Sequence, residues 1–415
     1  MRIEPARLAR AATSIALLAT LAALSGCDSD GNGGPSAPMG LDVQLSGDEV
    51  QVTRSITAAA VGISGRDSLE VTWSVDGVVS GTDSVGTITQ TNPATYTAPA
   101  SVPQGGSVVI EARLASDASV SASDSLAVLF TVLHVDAEHG DDGSGTGTWA
   151  APLKTITAAL AGVAQGDTIL VRPGVHDVGL GESPPYDIPA NVTLRGVHRD
   201  SCTLFGDDMG FSVVNLADEA TLERFTIGNA GDGLYAVYTR EAGRIGWIRV
   251  SDPFEGVIRC YGQGSEAVIE DCVLENTRQR LGGQGMQLLW GCHATVRRCT
   301  LRGWSEGMFV TGTSDPRIEY CVIEGNGFGL ETWEDNVQTK PDLGGGERGS
   351  LGGNVIRGNA FCGLSLRTPS TVFAINNTWN VAPDQPPVYC QSVGDSCDIC
   401  ATNGGLVYWC DCRPQ

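Results

Sequence analysis

The stretch Gly329-Leu330-Glu331-Thr332-Trp333-Glu334 sets a carboxylate and an indole two residues apart. In an extended chain Glu331 and Trp333 then share one face, with Glu334 just beyond. An aromatic ring offers a flat surface to the C–H face of a sugar, and a carboxylate accepts hydrogen bonds from its hydroxyls. Glu331 with Glu334 or Asp335 also has the residue types of an acid/base pair for glycoside cleavage. Comparable residues recur at matching places in the chain, namely Tyr235, Trp290, Phe309 and Arg367. A plainer reading stands beside this one: residues 335–350 or a neighbouring domain pack over the face.

Other patterns carry less chemistry. Gly303-Trp304-Ser305-Glu306-Gly307 fits a serine-nucleophile motif, which needs a strand–turn–helix elbow and a His partner. The chain has five His, and only His293 falls inside the repeats, so a serine hydrolase is not expected. Gly344, Gly346 and Gly349 mimic a dinucleotide fingerprint without its strand–helix context and read as loop. Cys272, Cys299 and Cys321 recur once per repeat with no His or carboxylate at their level. That pattern reads as small apolar core residues, not metal ligands. Asp136, Glu138, Asp141 and Asp142 form an acidic loop that either holds Ca²⁺ or is solvated; no other cofactor is expected.

A repeat between Leu222 and Asn377 must position these residues. Its first half reads apolar–x–x–Cys/apolar–x–apolar, as in Leu222–Phe225–Ile227, Ile245–Ile248–Val250, Ile269–Cys272–Leu274, Val296–Cys299–Leu301 and Ile318–Cys321–Ile323. Looser copies are Leu351–Asn354–Ile356 and Val372–Ile375–Asn377. The second half is Gly followed by Leu, Val or Met at Gly233, Gly256, Gly285, Gly307, Gly329 and Gly363. A period of roughly 22–24 residues, rich in short β-branched runs, predicts a parallel β-helix. The step from Ile269 to Cys272 breaks alternation, so a corner there brings both side chains inside. Counting from each Gly, the second strand turns Leu234 and Ala236, Val257 and Arg259, Met286 and Leu288, Met308 and Val310, Leu330 and Thr332, and Leu364 and Leu366 inward. It turns Tyr235 and Val237, Ile258 and Cys260, Gln287 and Leu289, Phe309 and Thr311, Glu331 and Trp333, and Ser365 and Arg367 outward.

Before the repeat, residues 41–132 alternate short strand runs with turns, the pattern of a β-sandwich with Trp73 in its core. Pro152 to Val163 has helical apolar spacing and is expected to cap the open end of the solenoid. Residues 390–415 hold Cys390, Cys397, Cys400, Cys410 and Cys412, for which disulfides are the expected use and zinc the alternative. With 41% hydrophobic and 18% charged residues and 54 Gly, the chain can bury a core and turn many corners. A formal charge of −22 repels phosphate backbones, so nucleic acid is not an expected partner.

Three stretches carry resemblances. Arg2, Arg7 and Arg10 lead into an apolar run closed by Leu24-Ser25-Gly26-Cys27, which resembles the lipobox of bacterial lipoproteins. That resemblance implies cleavage before Cys27, lipid on Cys27 and a periplasmic or cell-surface location, and the Gly, Pro, Ser, Asp and Asn of residues 28–40 read as a flexible tether. Asn92-Pro93-Ala94-Thr95-Tyr96-Thr97-Ala98-Pro99 resembles a run in bacterial immunoglobulin-like domains. Val135-Asp136, Gly140-Asp141-Asp142-Gly143, Pro152 to Leu160, Gly166-Asp167-Thr168-Ile169 and Pro173-Gly174 together resemble exported pectate-lyase-like β-helix proteins, in a family classed as a domain of unknown function. Pro341 to Gly346 with Gly349-Ser350 is similar to an insertion in such proteins. The resemblance spans about 133–389, implies the fold, and carries no activity. Several Asp for calcium with an Arg or Lys base, as a pectate lyase would need, do not assemble here.

The expected architecture is therefore a leader (1–26), a lipidated Cys and linker (27–40), an immunoglobulin-like sandwich (41–132), a right-handed parallel β-helix (133–389) and a Cys-rich end (390–415). The expected function is polysaccharide binding by a membrane-tethered protein. A polysaccharide lyase or glycoside hydrolase is the alternative, and an adhesive or structural surface protein the third reading.

Overall fold

The computed structural model describes residues 41–62, 69–206, 212–228, 235–250, 256–277, 282–333, 338–367, 371–380, 387, 389–390, 397–401 and 406–408. The lipobox, Cys27, Gly233, Leu234, Glu334, Asp335, Cys410 and Cys412 lie outside these residues.

Residues 41–129 form two five-stranded sheets packed face to face. One runs Leu41–Leu45, Ser55–Gly62, Ala94–Thr97, Gly86–Ile88, Gly81–Thr82. The other runs Glu49–Gln51, Asp117–Leu129, Ser107–Leu114, Val71–Val75, Val78–Val79. Period-two alternation buries Val108, Ile110 and Ala112 from one strand against Ala58 and Ala60 from the facing sheet. Trp73 is fully buried as expected, and its Nε1 donates to Thr91 O at 2.9 Å, which satisfies the one polar atom of the ring.

From Val132 onward the chain winds into a solenoid with three parallel sheets. The first sheet stacks eight strands from Val132–Val135 to Arg317–Glu319. The second stacks eight from Gly174–His176 to Val355–Arg357. The third runs from Tyr186–Ile188 through Tyr235–Thr239, Gly256–Tyr261, Gln284–Leu289, Glu306–Thr311, Phe328–Trp333 and Cys362–Leu366 to Cys397–Ala401 and Tyr389–Cys390. The Cys-rich end thus continues the third sheet, and a disulfide joins Cys362 to Cys400 across adjacent rungs.

The corner between the first and second sheets explains the apolar–x–x–Cys spacing. From the strand Ala220–Glu223 onward, two residues separate the strands in five successive coils. The first of each pair is left-handed: Arg224, Trp247, Asp271, Arg298 and Tyr320 have φ between 50° and 65°. Their side chains leave the core, while Phe225, Ile248, Cys272, Cys299 and Cys321 turn into it and are buried. In the next coil Gly353 takes a left-handed place (φ 72°) under the Tyr320 ring, where an added Cβ would lie 2.6 Å from that ring. The three stacked thiols are free, and donate to backbone carbonyls such as Glu270 O (3.2 Å) and Arg297 O (3.4 Å). Asn354 extends their row. Its Oδ1 accepts from Cys321 N and its Nδ2 donates to Ile318 O and Leu343 O.

Two expectations need correction. The helix is Ile156–Leu160, not Pro152 to Val163. Leu153 bridges Val135, and the Asp142 carboxylate accepts from Lys154 N and Thr155 N, so these residues are held in non-helical pairings. In the looser repeat Leu351 points outward, 60% exposed. Leu343 of the insertion fills the core instead, and neighbouring Asp342 bridges Arg317 and Phe373 in place of a strand.

Candidate functional site

The outward face of the third sheet is fixed by register. Val214, Val237, Ile258, Met286, Met308, Leu330, Leu364 and Ile399 stack in one buried row. Asn215, Tyr238, Arg259, Gln287, Phe309, Glu331, Ser365 and Cys400 stack beside it, one residue on. This corrects the outward reading of Val237, Ile258 and Cys260, all with zero exposure, and the inward reading of Arg259. Gly256 pairs with Gln284, not with Gly285, so counting from that glycine slips by one residue. A slip of one exchanges the two faces of a strand. In the later coils the count is in register, and Met286, Met308, Leu330 and Leu364 are inward as expected.

The best-built cluster lies around Trp333, which is 48% exposed. The Arg367 guanidinium lies 4.5 Å from the Trp333 ring centroid and 5.3 Å from that of Phe328. Beneath it Glu331, only 2% exposed, holds Arg367 Nε at 2.8 Å and accepts from Ser365 Oγ at 3.1 Å. Burial pushes the Glu331 carboxyl above its ordinary value; Arg367 opposes the shift and the like charge of Glu306 adds to it. Glu306 in turn accepts from Ser305 Oγ at 3.0 Å. Glu331 is therefore not an open acceptor for ligand hydroxyls. It is a buried strut that fixes Arg367 against Trp333.

The other expected residues are spread out. Phe309 is half-buried beside Glu331 in register. Tyr235 is 7% exposed and accepts from Arg259 Nη1 at 2.6 Å. Trp290 is 52% exposed at a corner with φ 58°, beyond the strand end at Leu289, so it lies on the rim. Sequence reasoning missed Phe328, and missed Arg240 and Arg259 as surface residues of this sheet. Stacking the apolar residues instead of the glycines would have found them.

The N-terminal half of the face carries these arginines. The Arg240 guanidinium lies 5.6 Å from the rings of both Tyr238 and Tyr261, and its Nε donates to the Tyr238 hydroxyl. Arg259 lies 4.9 Å from the Tyr235 ring and 5.4 Å from that of Tyr261. A cavity of about 470 Å³ opens here between Pro185, Asp187, Asn215, Tyr238, Arg240 and Glu241.

The remaining motifs resolve into structure. Trp304 of the serine-nucleophile pattern is buried, with Nε1 donating to Leu274 O at 2.9 Å, and Ser305 stands at a corner between two strands. In the acidic loop Asp136 pairs with Arg172 at 2.9 Å, Asp141 accepts from Gly143 N, and Asp142 accepts from Thr155 Oγ1. These carboxylates are spent on loop geometry. Among the described residues no group of three or more His, Cys, Asp or Glu is placed to hold a metal.

A family model matches residues 138–386, well over half of the chain, and is described as a protein of unknown function, DUF1565. The chain belongs to this family. No curated protein matches it. Among solved structures, XylC in complex with xylose is 10% identical, with TM-score 0.41 over 62% of this chain and 70% of that one. A pectin methylesterase mutant in complex with a hexasaccharide is 12% identical, with TM-score 0.31 over 60% and 80%. A family 28 exopolygalacturonase of Yersinia enterocolitica is 12% identical, with TM-score 0.36 over 81% and 78%.

Proposed function

We propose that this DUF1565 protein binds polysaccharide along the outward face of the third sheet, with Trp333 as its stacking platform. The observation that carries the reading is the Glu331–Arg367–Trp333 assembly. A half-exposed indole is held rigid by a stacked cation, itself fixed by a buried carboxylate. Rigid aromatic surface with little side-chain entropy left to lose is what sugar stacking uses. The described residues of the insertion pack at the end of the first sheet, and the N-terminal sandwich joins the solenoid at the opposite end. A glycan array followed by a reducing-sugar assay tests the reading: retention without release supports binding, and silence in both points to a structural protein.

A second reading, glycan cleavage, draws on the two carboxyls of Glu331 and Glu306, the residue types of an acid/base pair, and requires a ligand to displace Arg367 from Glu331. Release of reducing ends that Glu331→Gln abolishes would favour it. We further propose that Cys27 is lipidated and tethers the chain to a bacterial envelope membrane, that the sandwich is an immunoglobulin-like spacer, and that the helix Ile156–Leu160 covers the open end of the solenoid. Cys27→Ala should release the protein from membranes; a variant that still partitions with them refutes the tether.

A further inference from the structure

We propose a second subsite at the N-terminal end of the same face, centred on Arg240, that takes the oxyanion of an acidic sugar. It deepens the polysaccharide reading and rests on it. Arginines on the other two sheets are matched by acids: Arg195 by Glu223, Arg244 and Arg297 by Glu270, and Arg302 and Arg357 by Glu324. Arg240 is exposed and makes no ion pair among the described residues. Among the described residues one of the five donors of its guanidinium is used, by the Tyr238 hydroxyl, and two tyrosine rings hold the group at the edge of the cavity. Arg259 brings a second positive charge to the next rung, roughly 4.8 Å along the axis. A chain of formal charge −22 thus sets one arginine, Arg240, on tyrosine rings at the mouth of a cavity, with Arg259 on the neighbouring rung outside its lining.

The rest of the lining selects the ligand. Asp187, which accepts from Asn215 Nδ2 at 2.7 Å, and Glu241 at the rim are acceptors for hydroxyl groups. They disfavour a bare polyanion crowding the cavity. One oxyanion against Arg240 with hydroxyls toward the carboxylates describes an acidic sugar. The charge can be a carboxylate or a sulfate. Trp333 lies four rungs further along the sheet, roughly 19 Å at the usual strand spacing, so a ligand that reaches both subsites is an oligosaccharide.

The experiment is calorimetric titration of the chain with a polyuronate, a sulfated polysaccharide and a neutral β-glucan of matched length, at low and high salt. The acidic ligands should bind more tightly than the neutral one and weaken with salt. Arg240→Gln should weaken the better acidic ligand roughly tenfold or more and flatten its salt dependence, with Arg240→Lys recovering part of the loss. The stronger acidic arm identifies carboxylate or sulfate as the group bound. Tyr238→Phe keeps the ring and removes the hydroxyl that orients the guanidinium, and should give a smaller loss in the same direction. Equal binding of neutral and acidic ligands, or an Arg240→Gln titration identical to wild type, overturns the subsite while leaving polysaccharide binding intact. Absence of binding to all three overturns both. A folded variant is verified by an unchanged thermal melt.

Discussion

The outward faces of the first two sheets and of the third are built from stacked parallel strands on the same core, yet they finish differently. On the first sheet Glu270, 1% exposed, is gripped by Arg244 from the coil before it and by Arg297 and Arg298 from the coil after. On the second sheet Glu275, Arg302, Glu324 and Arg357 alternate in sign up the stack. Cross-strand charge pairs of this kind stabilise a parallel stack and leave little unmatched. On the third sheet the arginines rest on rings, and the buried carboxylate of Glu331 props one of them against a tryptophan. The difference separates surface that holds the solenoid together from surface that has something left to offer a ligand.

The largest effect tests the wall both kinds of face share. Leu330→Asp puts a charge in the row between Met308 and Leu364 and should cost about 4 kcal/mol or more, seen as a collapse of the melting temperature. Wild-type melting would mean that the inward row is misassigned. Next comes the ion-matched face. Glu270→Ala strands Arg244 and Arg297, leaves Arg298 with Asp271 alone, and should destabilise by about 2–4 kcal/mol in a denaturant titration, with glycan binding unchanged. Trp333→Ala should behave oppositely. Binding falls by about 2 kcal/mol, near thirtyfold, and stability barely moves, because an outward ring leaves no cavity. If the two variants show the same profile, the division between faces fails.

The register explains how much of this was legible in the sequence. The two-residue corner was readable, because Ile269 and Cys272 cannot both face inward along a straight strand. The late inward positions were readable from apolar alternation. The early ones were not, because Gly256 marks a different rung position from Gly285, and backbone pairing follows the apolar stack. The burial of Glu331 was hidden for another reason. Its partners Ser365 and Arg367 come from the next rung, 34 residues on in the case of Ser365, and no local pattern announces them.

Acidity sharpens the comparison further. Burial alone would raise the Glu270 carboxyl, but Arg297, Arg244 and Arg298 overcome it and hold the group below its ordinary value. Its contribution is therefore present above the unfolded carboxylate range and lost as pH falls through the folded value. Glu331 is raised, so its contribution is full below that range and lost as pH rises through the folded value. Glu270→Gln should be less stable than wild type at neutral pH, with the gap closing in acid. Glu331→Gln should match or exceed wild type at neutral pH, with its advantage closing in acid. Melting curves across pH with gaps of the same sign would contradict the assignment. The smallest effect is Arg302→Ala, about 0.2–1 kcal/mol and reduced by salt, since the side chain is half exposed between Glu275 and Glu324.

The left-handed corner has a consequence for how such a chain can be altered. In five coils its length is held at two residues, because the inward turn of the next side chain depends on it. The connections that enter and leave the third sheet vary in length from coil to coil, and one of them has become the insertion around Leu343. Added or deleted residues are therefore absorbed at the two rims of a single face. A designer who wanted new specificity could graft loops there, coil by coil, without rewriting the core.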